Sequence, residues 1–415
     1  MVRKYSSAIF GLLTLLSSQG RCAASDWLQD SSLNGFISVG ATYTDNDAFG
    51  FRPAIANNDP VEQEWNVTSR TNGGLQWNGQ WSPQFSTTLQ VAYEKHAQSR
   101  TDTELRIATL NYQIDPAWLV RVGRFSPKNY MLTDTRSVSY GQLWAYAPME
   151  FYGPLETRYM DGIEINYSHP TESGVWKTIF GFGQNKLGLG YDTGSLGMSF
   201  RPSIGLVEEF SNDSWTVHGA ISFVNIANQF AKPLADSWAN FYLVPGVSDV
   251  IHQLDTEDTQ LWFYSVGVSY HEDDWIVQGE MARLSAESDV IPDYLNGYLS
   301  VGKRFGAFTP YVLYSQIYTL SGSSSYTTPL AIVPYLSNSQ VSYLNTITSG
   351  LLNSQMNQKS IGIGCRWDVT TQLALKLQVD RKFVDEGGAS LWWHSESSNR
   401  GGVVDVVTLN LDYMF

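Results

Sequence analysis

The chain has 415 residues, of which 43% are hydrophobic, 13% aromatic and only 16% charged, with 14 Trp, 23 Tyr and 19 Phe. So much aromatic mass has to be buried or held against lipid, which excludes a disordered chain, and a net charge of −14 argues against nucleic acid or any other polyanion as a partner. Mean hydropathy is −0.20, and past residue 20 no run nears the roughly 18 to 20 apolar residues of a spanning helix, so a helical membrane protein is excluded too.

Residues 1–24 read as a removed signal peptide. Arg3 and Lys4 form a basic start, Ala8 to Leu16 an apolar stretch, and Cys22-Ala23-Ala24 a small-residue cleavage site. Its removal takes away Arg3, Lys4 and Arg21, leaving 23 basic residues against 40 acidic ones, a net charge of −17. The remainder, 25–415, is expected to form a single domain. It keeps one thiol, Cys365, so no intramolecular disulfide can hold it and stability must come from backbone pairing and packing.

Along that remainder the dominant period is two. Apolar residues alternate with wetter ones at Gly35 to Tyr43, Leu75 to Trp81, Phe85 to Tyr93, Ala108 to Ile114, Trp118 to Val122, Ile163 to Tyr167 and Trp176 to Phe182. A poorer pattern near 200–210 precedes clear ones at Trp215 to Phe223, Trp262 to Tyr270 and Trp275 to Met281. Two weak segments, 296–304 and 308–319, lead to Ile361 to Trp367, Leu373 to Val379 and Val407 to Phe415. Successive strand side chains point to opposite faces, so each segment has one greasy and one wetter side. The weak ones included, the spacing predicts sixteen strands.

Short turns and long loops alternate between them. Seven short turns, such as Ser82-Pro83-Gln84, Asp115-Pro116-Ala117 and Glu272-Asp273-Asp274, carry turn-forming residues. Eight longer connections cover 44–64, 95–102, 125–158, 183–195, 225–258, 286–295, 320–357 and 384–402. This sorting predicts an all-β fold: a transmembrane antiparallel barrel with short periplasmic turns and long extracellular loops. A closed sheet leaves no backbone amide unpaired against lipid. Aromatic residues at the short turns, among them Trp81, Phe85, Trp118, Tyr167, Trp176, Trp215, Tyr270, Trp275 and Trp367, predict a girdle at headgroup level.

The final run Leu409-Asn410-Leu411-Asp412-Tyr413-Met414-Phe415 resembles the C-terminal strand signature of bacterial outer-membrane proteins, which implies recognition of Phe415 by the barrel-assembly machinery. The segment Arg121-Val122-Gly123-Arg124, with Ser126-Pro127, Tyr130 to Asp134, Val138-Ser139-Tyr140 and Pro148 to Tyr152, resembles the third-loop region of proteobacterial porins. It is most similar to the phosphate-selective and dicarboxylate-type porin-like proteins, over about 121–152 only.

The resemblance implies a third loop, 125–158, folded into the lumen as a constriction, and a homotrimer. Arg121, Arg124, Lys128, Asp134, Arg136, Glu150, Glu156 and Arg158 are then its candidate charges. By alternation, Glu94, Glu164, Lys177, Arg366, Lys376 and Asp380 are expected to line the pore, with Glu280, Lys382 and Asp412 on the same face. Bases and acids nearly balance there, so only a weak charge preference is expected. The same loop charges could instead pair to stabilise the fold. Acidic loop residues such as Asp45, Asp249 and Asp255 are expected at the cell exterior, beside lipopolysaccharide.

Enzymatic and metal readings find little support. His96, His169, His218, His252, His271 and His394 are scattered without metal-ligand spacing, and no cofactor motif appears. His218 and Ser222 fall on the inward face, the wrong side for a lipid substrate, and Glu208 and Glu209 point oppositely. The sequence therefore predicts a non-enzymatic outer-membrane porin for small hydrophilic solutes or ions. The alternative is a plugged barrel acting as a surface receptor or adhesin.

Overall fold

The computed structural model describes residues 31–415 apart from 47, 56, 58, 59, 69, 95–102, 137, 156, 192, 193, 322–325 and 395–400. The expected signal peptide, His96 and Glu156 lie outside the described residues. Sixteen strands form a closed antiparallel barrel. They are β1 Ser31–Thr44, β2 Asn72–Gln80, β3 Phe85–Glu94, β4 Thr103–Gln113, β5 Trp118–Phe125, β6 Met160–Thr171, β7 Gly174–Tyr191 and β8 Gly194–Ser211, followed by β9 Trp215–Ile226, β10 Gln260–Glu272, β11 Trp275–Ala286, β12 Asp293–Lys303, β13 Phe308–Ser321, β14 Met356–Asp368, β15 Leu373–Ala389 and β16 Gly402–Met414.

Each strand pairs with its sequence neighbours, and β1 closes the ring on β16 from Phe36 opposite Met414 to Thr44 opposite Val406. Phe415 continues the seam, its N–H donating to Gly35 O at 2.9 Å and its carbonyl accepting from Gly35 N at 2.8 Å.

The alternation of the sequence becomes an alternation of environment, inverted relative to a water-soluble protein. On β10 the outward residues are Trp262, Tyr264, Val266 and Val268, all exposed, while Leu261, Phe263, Ser265 and Ser269 are buried. On β14, Ile361 and Ile363 are 55% and 60% exposed whereas Ser360 and Gln358 are buried. A continuous apolar exterior over a partly polar interior is at rest in hydrocarbon and would be strongly unfavourable in water. Among the described residues no helix is long and apolar enough to cross a membrane; the strands cross instead.

The rim of seven short turns carries the expected aromatic band. Cross-strand pairs there include Phe85 with Tyr112 at 4.7 Å, Trp118 with Tyr167 at 4.6 Å, Trp176 with Phe210 at 5.0 Å and Trp215 with Tyr270 at 4.6 Å between ring centres. The three weakly patterned segments are all strands: β8, β12 and β13.

One expected long loop is absent as such. Instead of a loop at 183–195, β7 and β8 stay paired as far as Tyr191 opposite Gly194. The sequence there, with Gly183, Gly188, Gly190, Gly194 and Gly197, hides strands because glycine lacks the side chain that reveals alternation. The loops after β9 and β13 hold helices α1 Lys232–Ala239, α2 Val247–Gln253 and α3 Ser339–Leu352. They meet each other where Trp238 Nε1 donates to Thr348 Oγ1 at 2.7 Å.

Candidate functional site: the lumen and its third loop

The loop between β5 and β6, residues 126–159, starts behind Gly123, whose φ of +126° is open to glycine but strained for other residues. It crosses the lumen and docks on the far wall, up to eight strands away around the ring. Met149–Tyr152 form one helical turn there. Trp144 Nε1 donates to Ser300 Oγ at 2.8 Å, and Gln378 Oε1 accepts from Ala145 N and from Tyr311 OH, each at 3.0 Å. An aromatic cluster of Tyr130, Trp144, Phe151, Tyr152, Phe263 and Tyr298 packs beneath it, with ring centres 4.9 to 5.9 Å apart.

Several residues expected to line the pore serve as anchors beneath this loop. Glu150, fully buried, accepts from Lys382 Nζ at 3.0 Å, Ser315 Oγ at 2.7 Å and Gln358 Nε2 at 2.7 Å. Burial alone would push its carboxyl up. Only together do the Lys382 ammonium, Ser315, the backbone and Gln358 outweigh that, and they hold it below the usual carboxylate range. Lys376 is buried with Asp412 at 2.9 Å and donates to Ser139 O at 2.5 Å. Asp380 is buried too and accepts from Gln378. Arg366 holds the carbonyls of Tyr140 and Gln142 at 2.6 and 2.9 Å. Glu280 accepts from Met131 N at 2.8 Å and from the hydroxyls of Tyr152 and Tyr298.

Other candidates divide between the walls. Arg121 donates through Nε to the buried Glu164 at 2.8 Å. Lys177, half-buried, stands opposite Glu209 in the strand register near the short-turn rim. Lys128 pairs with Asp134, and with Glu164 it borders a second open cavity of about 460 Å³ against β6 to β9. Arg124 takes the outward parity of the exposed Val122, opposite Asp161 in the register. It meets Asp161 at 2.7 and 2.8 Å and lies 3.8 Å from the Tyr159 ring centre, on the outer side of the strand. His218 is buried inside, 3.9 Å from Glu209, and Ser222 donates to Asn129 instead.

Between loop 3 and the wall of β2, β3 and β4 an open cavity of about 780 Å³ remains. Loop 3 contributes Arg136 and Arg158, and the wall side contributes Glu94, Arg106 and Arg70. Arg136 donates to Tyr152 O and lies over the Tyr130 and Tyr152 rings. Arg106 and Arg158 flank Glu94 at 2.9 and 3.2 Å. Burial pushes the Arg158 guanidinium down to about 10 despite the opposing pull of Glu94.

No protein-family model matches the chain, and no curated protein matches its sequence. Solved structures do match in shape. OmpF of Salmonella typhi, in complex with daunomycin, aligns over 93% of this chain and 97% of its own with a TM-score of 0.54 and 12% identity. The anion-selective porin of Comamonas acidovorans aligns over 93% and 99% at 0.52, also with 12% identity. OmpT, an outer membrane protein of Vibrio cholerae, aligns over 94% and 99% at 0.50 with 9% identity. The barrel has the porin fold.

Within that porin fold, sequence patterning misses Arg70 and Arg106. Strict alternation back from Leu110 and Ala108 puts Arg106 among lipid. The register of β3 and β4 slips between Gln90 and Val91, however, and this bulge turns Arg106 inward, where it is 5% exposed. The adjacent apolar pair Ile107-Ala108, where alternation allows only one, is the signal that could have shown it. Arg70 closes an unpatterned loop and leaves no such trace.

Proposed function

We propose that this chain is a passive diffusion channel of a Gram-negative outer membrane, exported by its N-terminal signal peptide and admitting small hydrophilic solutes or ions. One observation carries the reading. Inside a barrel with an apolar exterior, the third loop leans on the far wall and leaves a polar, solvent-open cavity of about 780 Å³ beside β2 to β4. Sixteen strands give a lumen wide enough for water as well as for such a loop. No catalytic step belongs to this reading. A homotrimer, contact of the outer loops with lipopolysaccharide, and recognition of Phe415 during assembly complete the proposal.

The test is conductance. The purified full-length protein in planar bilayers is expected to open in steady steps, and liposomes containing it are expected to swell in small sugars but not in large ones. A barrel plugged by its loops, the receptor or adhesin alternative, would leave both experiments silent. Chemical cross-linking in detergent is expected to give a three-subunit species.

A further inference from the structure

We propose that the cavity against β6 to β9 is a niche for small neutral solutes that join a compact apolar group to a hydrogen-bonding head, and that it makes their passage saturable. The inference rests on the channel reading above and names a solute class for it. Along this wall the interior is not polar. Ile179, Val207 and Ala220 point inward on β7, β8 and β9 as consecutive partners in the register, and they form a small buried apolar cluster apart from the core beneath loop 3. One inward step further, Gly181 on β7 stands opposite Gly205 on β8. Neither glycine answers a demand of the backbone, since neither has a left-handed φ. A Cβ at Gly181 would meet only Met160 Cε at 2.9 Å and Phe125 Cε2 at 3.9 Å, and one at Gly205 only Ser222 Oγ at 3.3 Å. The space that two side chains would fill is left as a hollow in the wall, within a cavity of about 460 Å³.

Phe125, Met160 and Val224 extend the apolar lining. The charges at its border are already paired: Lys128 with Asp134, and Glu164 with Arg121 Nε at 2.8 Å and Asn166 Nδ2 at 2.7 Å. The niche therefore recognises no net charge. Its polar side is Asn185, which accepts from Ser203 Oγ at 2.7 Å while its Nδ2 donates to no acceptor among the described residues. A hydroxyl or carbonyl oxygen of a solute suits that donor. Water beside Ile179, Val207 and the two glycines finds few partners, so an apolar group that displaces it gains free energy, whereas a wholly polar solute gains none. Thr157 of loop 3 borders both this niche and the larger cavity beside β2 to β4. A solute held here thus stands next to the open water path.

Tracer uptake of methyl glucoside and phenyl glucoside into liposomes holding the full-length protein tests this. The two share a neutral head and differ in the apolar group, and protein-free liposomes set the leak of each. Methyl glucoside uptake is expected to rise in proportion to concentration. Burial of the phenyl ring is expected to make phenyl glucoside uptake saturate, at a concentration at least about tenfold below any at which methyl glucoside does. Gly205→Leu, which fills the hollow, is expected to make phenyl glucoside uptake linear as well. Val207→Thr keeps the shape and adds a hydroxyl; it is expected to raise the half-saturating concentration several-fold, and it gives a reading even where the Gly205→Leu barrel does not assemble. Linear uptake of both solutes, exclusion of phenyl glucoside alone, or saturation that neither substitution moves overturns the inference and leaves the channel reading standing. A protein that admits neither glucoside removes both.

Discussion

At Gly123 the backbone of β5 adopts φ +126° one residue before the outward Arg124 and three before loop 3 begins. A Cβ added there would overlap the carbonyl oxygen of Ala108, a backbone atom that the barrel ladder holds fixed. Gly123→Ala combines a strained dihedral with that collision and is expected to cost about 1 to 3 kcal/mol. Gly219, on the outward face of β9, has no atom within 4 Å of the corresponding point. Gly219→Ala is expected to stay within about 0.5 kcal/mol of the native protein. Urea unfolding of the two variants in lipid vesicles checks both, and equal losses would mean the backbone at 123 is not what constrains the strand. At this scale the sequence was only partly legible. Period two assigns Glu94, Glu164 and Lys376 to the interior, but no pattern reveals the bulge that redirects Arg106 or the long-range approach of Arg70.

Loop 3 is held as an element by buried charge. Glu150 and Lys382 are both essentially without solvent contact, and each has its remaining capacity filled or shielded by loop and wall. Removing one partner of such a pair strands the other in low dielectric, at a cost of about 3 to 5 kcal/mol. Lys382→Met is therefore expected to destabilise the barrel by that order and to make channel current noisier as the loop loosens. The double variant Glu150→Gln with Lys382→Met should lose much less than the two single losses added together, because neither charge of the pair is left without its partner. Strict additivity in unfolding measurements would sink the pairing argument.

Acid gives the same latch a sign. A carboxyl held below its ordinary value, near 4.3 when unfolded, contributes stability above the ordinary range and loses it as pH falls through the folded value. Loop 3 should thus stay quiet at neutral and mildly acidic pH, and single-channel noise should rise only below the usual carboxylate range. The anchoring role itself was not visible in the sequence. Alternation put Lys382 on the inner wall, but which inward residues meet a crossing loop depends on how that loop bends, and a 34-residue irregular segment carries no period.

For the whole molecule, the argument turns on which side of the sheet meets hydrocarbon. Strand number, closure and turn sorting were legible because lipid and barrel interior impose opposite demands on alternate residues of every strand, and only the glycine-rich hairpin of β7 and β8 escaped. Val266, midway along β10, is 61% exposed on that outer face, whereas Val369 stands in the turn between β14 and β15 at the short-turn rim. If hydrocarbon bathes the mid-barrel, a cation at Val266 must stay in the apolar core or distort the bilayer, and Val266→Arg should cost about 2 to 4 kcal/mol. The same change at Val369 reaches headgroups and water and should cost no more than about 1 kcal/mol. Refolding into vesicles of known thickness, followed by urea titration, measures the difference. It should grow in thicker bilayers, because a given strand position then lies deeper. A protein indifferent to both substitutions would not have lipid around its waist.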